Sequence, residues 1–503
     1  MRGADPYDLL IVGGGINGAG IARDAAGRGF SVALIEQDDL ASHTSSASTK
    51  LIHGGLRYLE HGEFRLVRES LSERERLLAI APHLISPMRF LLPHVEGLRP
   101  RWQIRMGLWL YDHAGGREKL PASCAVRIAG SPWSSGLQPQ LDRGFLYSDC
   151  WVDDARLVVL NALDARERGA AIHTRLKVLE AKPERGQWTL HCANTDTRQP
   201  VQLQGRMLIN ASGAWVTRLL SGIAGLRANR RLRLIKGSHI IVPRLYEGEH
   251  ALLLQNIDQR VVFAIPYEQR YTLVGTTDIP FDADPAQVHI SPEETQYLCD
   301  AANRFFVRQL APKDVFHSYS GVRALFDDAA SDPSAVTRDY ELELDRSADG
   351  APVLSVFGGK ITTYRKLAEA ALEQVLETFE LPADPSRVPW TAELALPGGD
   401  VPRGDFDLFF VHSRARWPWL PDATLRRLAR LYGTRMSLVL GSAKDVNDLG
   451  VDFGAGLARA EVDYLVTREW ARSSDDILWR RTKLGLQFST AQVHALRTYL
   501  NRA

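Results

Sequence analysis

The apolar positions of the opening segment predict a strand, a tight turn, a helix and a second strand. An apolar run at residues 7–12 leads directly into three glycines, a helical pattern follows, and a second apolar run lies at residues 31–35. A succession of short apolar runs and a period of 3.6 residues is typical of a parallel α/β unit. We therefore predict such a unit at the start of the chain.

The pattern changes twice further along the chain. Short alternating runs between residues 232 and 274, separated by Pro, Gly and Asp, predict an antiparallel sheet. At residues 353–365 an apolar strand, a double glycine and a helical period return, so we expect the first and last α/β units to share one sheet. A proline-rich stretch at residues 382–402 then predicts a linker to a helical C-terminal segment.

These patterns predict an α/β fold: a Rossmann-like dinucleotide-binding domain with an inserted antiparallel-sheet domain, followed by a C-terminal helical domain. The dinucleotide-binding domain is expected at residues 1–90, 145–225 and 335–385. The inserted substrate-binding or capping domain is expected at residues 91–144 and 226–334, and the helical domain at residues 386–503.

Residues 99–111 differ from their neighbours because arginine, tryptophan and leucine are interleaved along them. Two interpretations stay open. The first is a helix lying in the interface of a membrane, and the second is a core helix whose basic face is solvated.

Composition narrows the class of protein. The chain has 503 residues, 45% hydrophobic and 24% charged, with a net charge of +1, which is typical of a globular protein of several domains and gives no global field toward nucleic acid. No apolar run is long enough to span a membrane, and the chain enters its first strand too early for a signal peptide. The four cysteines lie far apart without metal-like spacing, so we expect free thiols, no metal site and a cytoplasmic protein.

The glycine-rich turn carries the first candidate chemistry. Gly13, Gly15 and Gly18 form a G-x-G-x-x-G motif between the first strand and the first helix, and Glu36 ends the second strand. Glycines at these positions permit a tight turn and close approach of a pyrophosphate to the helix N-terminus, and the carboxylate suits a ribose hydroxyl. The motif predicts a dinucleotide, and by itself it leaves nicotinamide and flavin cofactors open.

Basic residues recur beside glycine turns and strand ends. Arg57 and Tyr58 follow a double glycine, Lys360 follows another, and Arg323 and Arg338 lie near the ends of predicted strands. Guanidinium groups bind phosphate and carboxylate oxygens in a bidentate manner, so their convergence would indicate an anionic substrate. Any one of them alone is also compatible with a surface ion pair.

His239 lies on a predicted strand of the inserted domain. Oxidation of an alcohol needs a group that takes the hydroxyl proton, and histidine suits that task near neutral pH. A hydrogen-bonded core histidine is the alternative, and His53 is the competing base, although its place beside Gly54 suits contact with a cofactor better.

Several long segments resemble the aerobic, FAD-dependent sn-glycerol-3-phosphate dehydrogenases of bacteria, which belong to the D-amino-acid-oxidase-like flavoproteins. The segments are residues 13–18 with Glu36, 44–59, 235–239, 275–278, 319–323 and 357–365. The resemblance runs nearly from end to end and includes the C-terminal helical region. It implies oxidation of glycerol 3-phosphate to dihydroxyacetone phosphate by hydride transfer to FAD, within glycerol metabolism. It also implies a membrane quinone as acceptor, peripheral attachment to the inner membrane and a homodimer.

The resemblance also assigns roles to residues by position. His239 and Arg323 would lie at the reacting hydroxyl, and the substrate or its phosphate would contact Arg57, Tyr58, Arg323, Arg338 and Lys360. The positions that would contact FAD are Gly13, Gly14, Gly15, Asn17, Gly18, Glu36, Thr44, Ser45, Ser46, Ser48, Lys50, Leu51, His53, Gly54, Gly213, Gly359, Lys360 and Thr362.

Three other functions remain compatible with the sequence. A glycerol-phosphate oxidase would pass the electrons to oxygen and form peroxide. An amine or amino-acid oxidase on the same fold would bind a carboxylate with fewer cations. A non-catalytic FAD-binding regulatory protein would bind flavin that no polyol phosphate reduces.

Overall fold

The computed structural model describes residues 5–116, 119–222, 226, 232–326 and 339–502. The strands, in chain order, are β1 (Tyr7–Val12), β2 (Val32–Ile35), β3 (Leu51–Ile52), β4 (Ile85–Pro93), β5 (Cys124–Arg127), β6 (Arg143–Val152), β7 (Ala171–His173), β8 (Leu176–Glu184), β9 (Gln187–Asn194), β10 (Pro200–Asn210), β11 (Leu232–Pro243), β12 (Ala251–Gln255), β13 (Val261–Tyr267), β14 (Tyr271–Gly275), β15 (Ile279–Pro280), β16 (His317–Phe326), β17 (Tyr340–Arg346) and β18 (Pro352–Gly358). The α-helices are α1 (Ile16–Gly27), α2 (Phe64–Ile80), α3 (Arg101–Ala114), α4 (Asp154–Glu167), α5 (Val216–Gly222), α6 (Pro292–Asn303), α7 (Tyr364–Thr378), α8 (Phe406–Arg416), α9 (Asp422–Tyr432), α10 (Met436–Leu440), α11 (Arg459–Glu469) and α12 (Thr490–Leu500).

The first sheet has the order β17-β18-β10-β1-β2-β7, and the hairpin β8-β9 joins it along β10. Strands β18, β10, β1, β2 and β7 are parallel, so the carboxyl ends of β1, β2 and β10 meet at one edge. Successive residues of β1 point to opposite faces: Leu9 packs toward α1, α4 and α7, and Leu10 packs toward Trp188 of β9. Burial on both faces explains the continuous apolar runs of these strands.

The second sheet is mostly antiparallel, with the order β15-β11-β14-β13-β12-β4-β6-β3, and β16 pairs along β11. Ile240 of β11 faces α6, whereas Ile241 faces the layer formed by α2 and α3. The pairing of β11 with β16 places His239 opposite Tyr319 and Ile235 opposite Arg323. This register brings residues that are about 80 positions apart in the chain to one end of the sheet.

The C-terminal segment is helical and has its own apolar core, built from α8 to α12. The predicted helix at residues 475–485 is a π-helical turn, Asp476–Arg481, followed by a short 3₁₀ turn, Leu484–Leu486. Short π-helical segments are rare in proteins as a whole, and those that occur often lie at functional sites.

The fold-class prediction is confirmed, since a parallel sheet, an inserted antiparallel sheet and a helical C-terminal domain are all present. The expected domain limits at residues 90 and 145 cut through the second sheet, because β4 and β6 lie across them and β3 pairs with β6. The sequence pattern at residues 90 and 145 did not show which sheet these strands join. We propose a division that follows the sheets, with β3, β4 and β6 in the inserted domain.

Helix α3 covers most of the segment for which two interpretations were open. Its Ile104, Leu108 and Tyr111 are buried against the second sheet, whereas Trp102 and Trp109 are 68% and 57% exposed. The outward face is therefore apolar as well as basic. Across the described part of the chain, none of the helices combines the length and apolarity needed to traverse a bilayer.

Candidate active site

A cavity of about 930 Å³ lies between the two sheets, at the carboxyl edge of the first sheet. Its wall at one end is formed by the turn after β1 and by Glu36, and we call this the nucleotide end. At the other end lie Thr49, Tyr58, His239, Arg323 and Lys360, and we call this the substrate end. Ligands of open α/β sheets bind outside the carboxyl ends of the strands, which is where this cavity lies.

The nucleotide end is formed mainly by main chain. Gly13 has a φ of +118°, and a Cβ atom there would overlap the carbonyl oxygen of Ala211. A Cβ atom on Gly18 would overlap the carbonyl oxygen of Gly13. Gly14, Gly15 and Asn17 line the cavity at the N-terminus of α1. The bare turn and the helix N-terminus form a surface suited to a diphosphate.

Glu36 follows β2 and lines the cavity beside this turn. Its carboxylate accepts hydrogen bonds from the main-chain N–H groups of Gly14, at 2.7 Å, and Asp38, at 2.8 Å. Burial raises the pKa of Glu36 above its usual value. The glycine turn and this fixed carboxylate fit the diphosphate and ribose of a dinucleotide, as the motif predicts.

The hydroxyl-rich loop after β2 lines the middle of the cavity with Thr44, Ser45, Ser48, Leu51 and His53. The Ser45 hydroxyl accepts a hydrogen bond from the N–H of Ile16 at 3.0 Å, and Thr44 donates to the carbonyl of Val322 at 2.7 Å. The loop is therefore tied both to α1 and to the second sheet.

Three residues of this segment that were expected at the cofactor, like Gly18 of α1, are not among the residues that line the cavity. The Lys50 ammonium group is buried and donates to Asp154 at 2.8 Å and to the carbonyl of Ser46 at 3.0 Å. The N–H of Gly54 donates to the Tyr111 hydroxyl at 2.7 Å. Ser46, Lys50 and Gly54 thus hold the loop in place, because a buried ammonium group needs a buried carboxylate and the chain supplies one in Asp154.

The ends of β10 and β18 complete the wall near the middle of the cavity. Gly213, Gly359 and Thr362 line it, and Gly359 has a φ of +91°. A Cβ atom on Gly359 would come within 2.9 Å of Leu367 and 3.0 Å of Asn17. The double glycine therefore lets the chain lie close to α1 and α7, as expected for a wall next to a flat ring.

The substrate end gathers side chains from separate elements. The Lys360 ammonium group lies 4.0 Å from the centre of the Tyr58 ring. Arg323, on β16, donates to the carbonyl of Thr277 at 2.9 Å and forms an ion pair with Asp278 at 2.6 Å. Both cations line the cavity. The convergence of Arg323 and Lys360 is suited to an anionic or electron-rich substrate.

His239 lies on β11 of the second sheet, where it is buried and lines the cavity. Its Nε2 lies 3.0 Å from the Thr49 hydroxyl, and its ring stacks on Tyr319 with centres 4.9 Å apart. Burial, and then the positive charges of Lys50 and Arg323, lower the pKa of His239 to about 3. The imidazole is therefore neutral at physiological pH, and one of its ring nitrogens has a lone pair that can accept a hydrogen bond.

One predicted substrate residue is not part of this arrangement, and another cannot be placed in it. Arg57 lies next to Tyr58 in the 3₁₀ turn Leu56–His61, outside the cavity wall. Arg338 lies outside the described residues, so its assignment stays a prediction.

Two contacts at the substrate end involve residues that reasoning from the sequence did not single out. Thr49 contacts His239, and Asp278 contacts Arg323. Two features of the sequence could have indicated these residues: Thr49 belongs to the hydroxyl-rich loop, and Asp278 belongs to a segment that carries the family resemblance. Neither signal predicts the partner, because the pairs are formed by packing between distant segments.

Comparison with known proteins gives consistent results. A family model described as FAD dependent oxidoreductase matches residues 8–365, and one described as C-terminal domain of alpha-glycerophosphate oxidase matches residues 389–501. The chain is 54% identical to a glycerol-3-phosphate dehydrogenase of Pseudomonas aeruginosa, over 99% of this chain and 95% of that protein. It is 49% identical to a D-erythritol 1-phosphate dehydrogenase of Brucella abortus, over 100% of this chain and 99% of that protein.

A solved structure agrees with the model as well. The glycerol-3-phosphate dehydrogenase of Bacillus halodurans, complexed with FAD, matches with a TM-score of 0.77 and 28% identity. The match covers 99% of this chain and 90% of that chain.

Proposed function

The chain belongs to the FAD-dependent oxidoreductase family, and we propose that it oxidises sn-glycerol 3-phosphate to dihydroxyacetone phosphate and passes the electrons to a membrane quinone. The observation that carries the proposal is the substrate end, where Arg323 and Lys360 lie with a neutral His239 in the same cavity as the nucleotide end. The names of relatives from Pseudomonas and Bacillus support the same substrate.

The residues of the substrate end have complementary tasks. FAD held at the nucleotide end would supply the oxidant for the carbon that bears the reacting hydroxyl. His239 takes the hydroxyl proton on its imidazole, and Arg323 stabilises the negative charge that develops on the oxygen. Lys360 and Tyr58 bind the phosphate and orient the carbon chain. Arg57 and Arg338 are proposed as outer phosphate contacts.

Asp278 prepares Arg323 for this task. The 2.6 Å ion pair and the hydrogen bond to the Thr277 carbonyl fix the guanidinium before substrate arrives. A donor that is already oriented loses little entropy when charge develops beside it. We therefore include Asp278 as a positioning residue.

A second candidate substrate is a four-carbon polyol phosphate. The Brucella relative named D-erythritol 1-phosphate dehydrogenase is almost as similar to the chain as the glycerol-3-phosphate dehydrogenase and covers all of it. Both substrates are polyol monophosphates, so the same cations would serve either one. The length of the carbon chain is what separates the two proposals.

The test is an anaerobic titration of the purified holoenzyme followed by its visible spectrum. We expect glycerol 3-phosphate to bleach the flavin fully and faster than D-erythritol 1-phosphate, while glycerol and glycine leave the spectrum unchanged. Faster bleaching by D-erythritol 1-phosphate would show that this longer compound is the better substrate. Flavin that no polyol phosphate bleaches would contradict both.

The electron acceptor needs its own test, because a glycerol-phosphate oxidase would use oxygen. We expect the reduced enzyme to be reoxidised faster by a soluble ubiquinone analogue than by air-saturated buffer. Rapid oxygen uptake with stoichiometric peroxide would instead indicate an oxidase.

We propose that the protein acts as a homodimer on the inner face of the cytoplasmic membrane and that α3 contacts the lipid. Trp102, Met106 and Trp109 are more than half exposed on one side of α3, and Arg101 and Arg105 are also exposed. Such a face binds the interface by apolar burial and by attraction to anionic lipid.

Vesicle sedimentation tests this location. Trp109→Glu should release the protein from anionic vesicles, whereas the control Val411→Glu, at an equally exposed apolar position on α8, should not. Equal sedimentation of both variants and wild type would contradict a role for α3. Light scattering of the protein without vesicles should give the mass of a homodimer.

A further inference from the structure

The C-terminal domain reaches the cofactor site through one buried carboxylate. Asp39 lies in the loop that follows Glu36, and its side chain is fully buried. It accepts two hydrogen bonds from Arg481, at 2.9 and 2.8 Å, and one from Arg480 at 2.7 Å. Both arginines belong to the π-helical turn Asp476–Arg481 of the C-terminal domain. Two consecutive residues of this turn therefore bind the same carboxylate.

A second set of contacts holds the same loop from the other side. Arg480 also pairs with Asp476, which accepts a hydrogen bond from Arg175 at 2.8 Å. The main-chain N–H of Arg175 donates to the carbonyl of Asp38 at 2.9 Å. Burial opposes ionisation of Asp476, but the charges of Arg480 and Arg175 lower its pKa to about 2. Asp476 is therefore ionised at neutral pH.

The loop held in this way forms a wall of the nucleotide end. Ala41, Ser42 and His43 line the cavity directly after Asp39. The N–H of Ala41 donates to the carbonyl of Gly14 at 3.1 Å. Only Leu40 separates Asp39 from Ala41, so a displacement of Asp39 would be passed on to the glycine turn. The N–H of the neighbouring Asp38 is also one of the two donors that fix Glu36.

We propose that the C-terminal domain is a structural part of the cofactor site, and that Arg480 and Arg481 are positioning residues that hold the 38–43 loop against FAD. Removing one partner of a buried ion pair leaves an uncompensated charge, so the loop would move to hydrate it. The consequence is weaker retention of FAD, because the bound form requires the loop in its closed position. The substrate end would keep its own contacts.

The chain offers a control at the same domain interface, in an ion pair that is partly exposed rather than buried. Arg435 of the C-terminal domain binds Glu167, at the end of α4, with both guanidinium nitrogens at 2.6 Å. Glu167 is absent from the cavity wall. Asp39→Asn and Glu167→Gln each neutralise the carboxylate partner of a bidentate arginine from the same domain. Only the first of these contacts leads to the cofactor.

The experiment measures FAD binding in the full-length holoenzyme without any substrate. FAD release on dilution is followed by the recovery of flavin fluorescence, and the dissociation constant is obtained by adding FAD back. We expect Asp39→Asn to raise the dissociation constant about tenfold, the effect of losing one charge-assisted bonded pair, and Glu167→Gln to stay within about twofold of wild type.

A second variant covers the case in which Asp39→Asn fails to fold. Arg480 is partly exposed, with 16% of its side chain accessible, so Arg480→Gln should fold and should shift the constant in the same direction by a smaller factor. Wild-type FAD retention in Asp39→Asn or, should that variant fail to fold, in Arg480→Gln would overturn the proposal. Equal weakening by Glu167→Gln would also overturn it. Because no polyol phosphate is present, the result is independent of which substrate the enzyme oxidises.

Discussion

The nucleotide end of the cavity is formed mainly by main chain, whereas the substrate end is formed by side chains. At the nucleotide end the surface is main chain, with glycines whose Cβ atoms would overlap neighbouring carbonyl groups, as at Gly13 and Gly18. At the substrate end the surface consists of side chains contributed by β11, β16, the Thr49 loop and the turn after β18. The nucleotide end is therefore sensitive to added side-chain volume, whereas the substrate end is sensitive to changes in charge and in hydrogen-bond geometry.

This difference separates binding from chemistry. A substitution at the nucleotide end changes whether the cofactor is present, and every later step fails with it. A substitution at the substrate end should leave the flavin in place and change only its reduction. The four predictions below test this separation, beginning with the largest effect.

The largest effect is expected from Gly18→Ala at the nucleotide end. The added methyl group would overlap the carbonyl oxygen of Gly13, which belongs to the turn that faces the diphosphate. We expect the purified variant to lack flavin absorbance and all dehydrogenase activity, since overpacking against main chain displaces the turn itself.

The control for this variant is Gly107→Ala on α3, where a Cβ atom meets no neighbour within 4 Å. This variant should carry as much FAD per chain as wild type. A Gly18→Ala protein with a full complement of flavin would show that volume does not control the nucleotide end.

Arg323→Ala tests the opposite end of the cavity. The variant should retain FAD, because Arg323 contacts Thr277 and Asp278 of the inserted domain. Flavin reduction by glycerol 3-phosphate should slow by about 10²–10³-fold, the usual cost of removing one donor that stabilises developing negative charge. Anaerobic stopped-flow absorbance measures the reduction rate, and the flavin spectrum measures FAD content.

The exposed Arg346→Ala on β17 provides the control and should reduce at the wild-type rate. Full-speed flavin reduction by Arg323→Ala would remove this residue from the mechanism. Loss of FAD from the same variant would instead show that the two ends of the cavity are not separable.

The same difference explains how much the sequence could predict. The glycine turn and the carboxylate of the nucleotide end lie within one continuous segment from Gly13 to Glu36, so the motif and its flanking strands specify them locally. The substrate end depends on the register between β11 and β16 and on a contact between Thr49 and His239, which are 190 positions apart. The resemblance supplied the identity of the cations, but no pattern in the chain states which residues hold them.

Lys50 shows the limit of carrying over a motif residue by residue. It stands between cavity-lining Thr49 and Leu51, yet its ammonium group points away toward Asp154. Its backbone has a φ of +59°, which turns the side chain out of the regular alternation. The C-terminal domain shows a similar limit, since helical periodicity at residues 475–485 gave no sign that Arg480 and Arg481 bind a loop of the first domain.

Thr49→Val is expected to have a moderate effect confined to the substrate end. Valine has the shape of threonine without the hydroxyl that lies 3.0 Å from His239 Nε2. Losing one hydrogen bond, worth about 1 kcal/mol, should slow flavin reduction about five- to tenfold. FAD content should remain that of wild type.

Thr49→Ser is the matched variant, because it keeps the hydroxyl and removes the methyl group. It should recover most of the lost rate in the same stopped-flow measurement. If Thr49→Val and Thr49→Ser reduce equally fast, the hydroxyl does not orient His239.

The smallest effect concerns the response of the two ends to acid, and its sign differs between them. Glu36 has a raised pKa because of burial, so the folded protein binds its proton more readily than the unfolded chain does, and acidification favours the folded state at this site. His239 behaves in the opposite way. Its folded pKa of about 3 lies below the usual value of 6.5, so between these values the unfolded chain binds more protons. Lowering the pH through this window therefore destabilises the fold at the substrate end.

Removing the imidazole should make this loss of stability smaller. We expect the thermal midpoint of His239→Asn holoenzyme to fall by about 1–2 °C less than that of wild type when the pH is lowered from 7.5 to 5.5. The exposed His289→Asn should track wild type across the same range, because its ring is not buried. Parallel curves for His239→Asn and wild type would mean that the pKa of His239 is the same in the folded protein as in the unfolded chain.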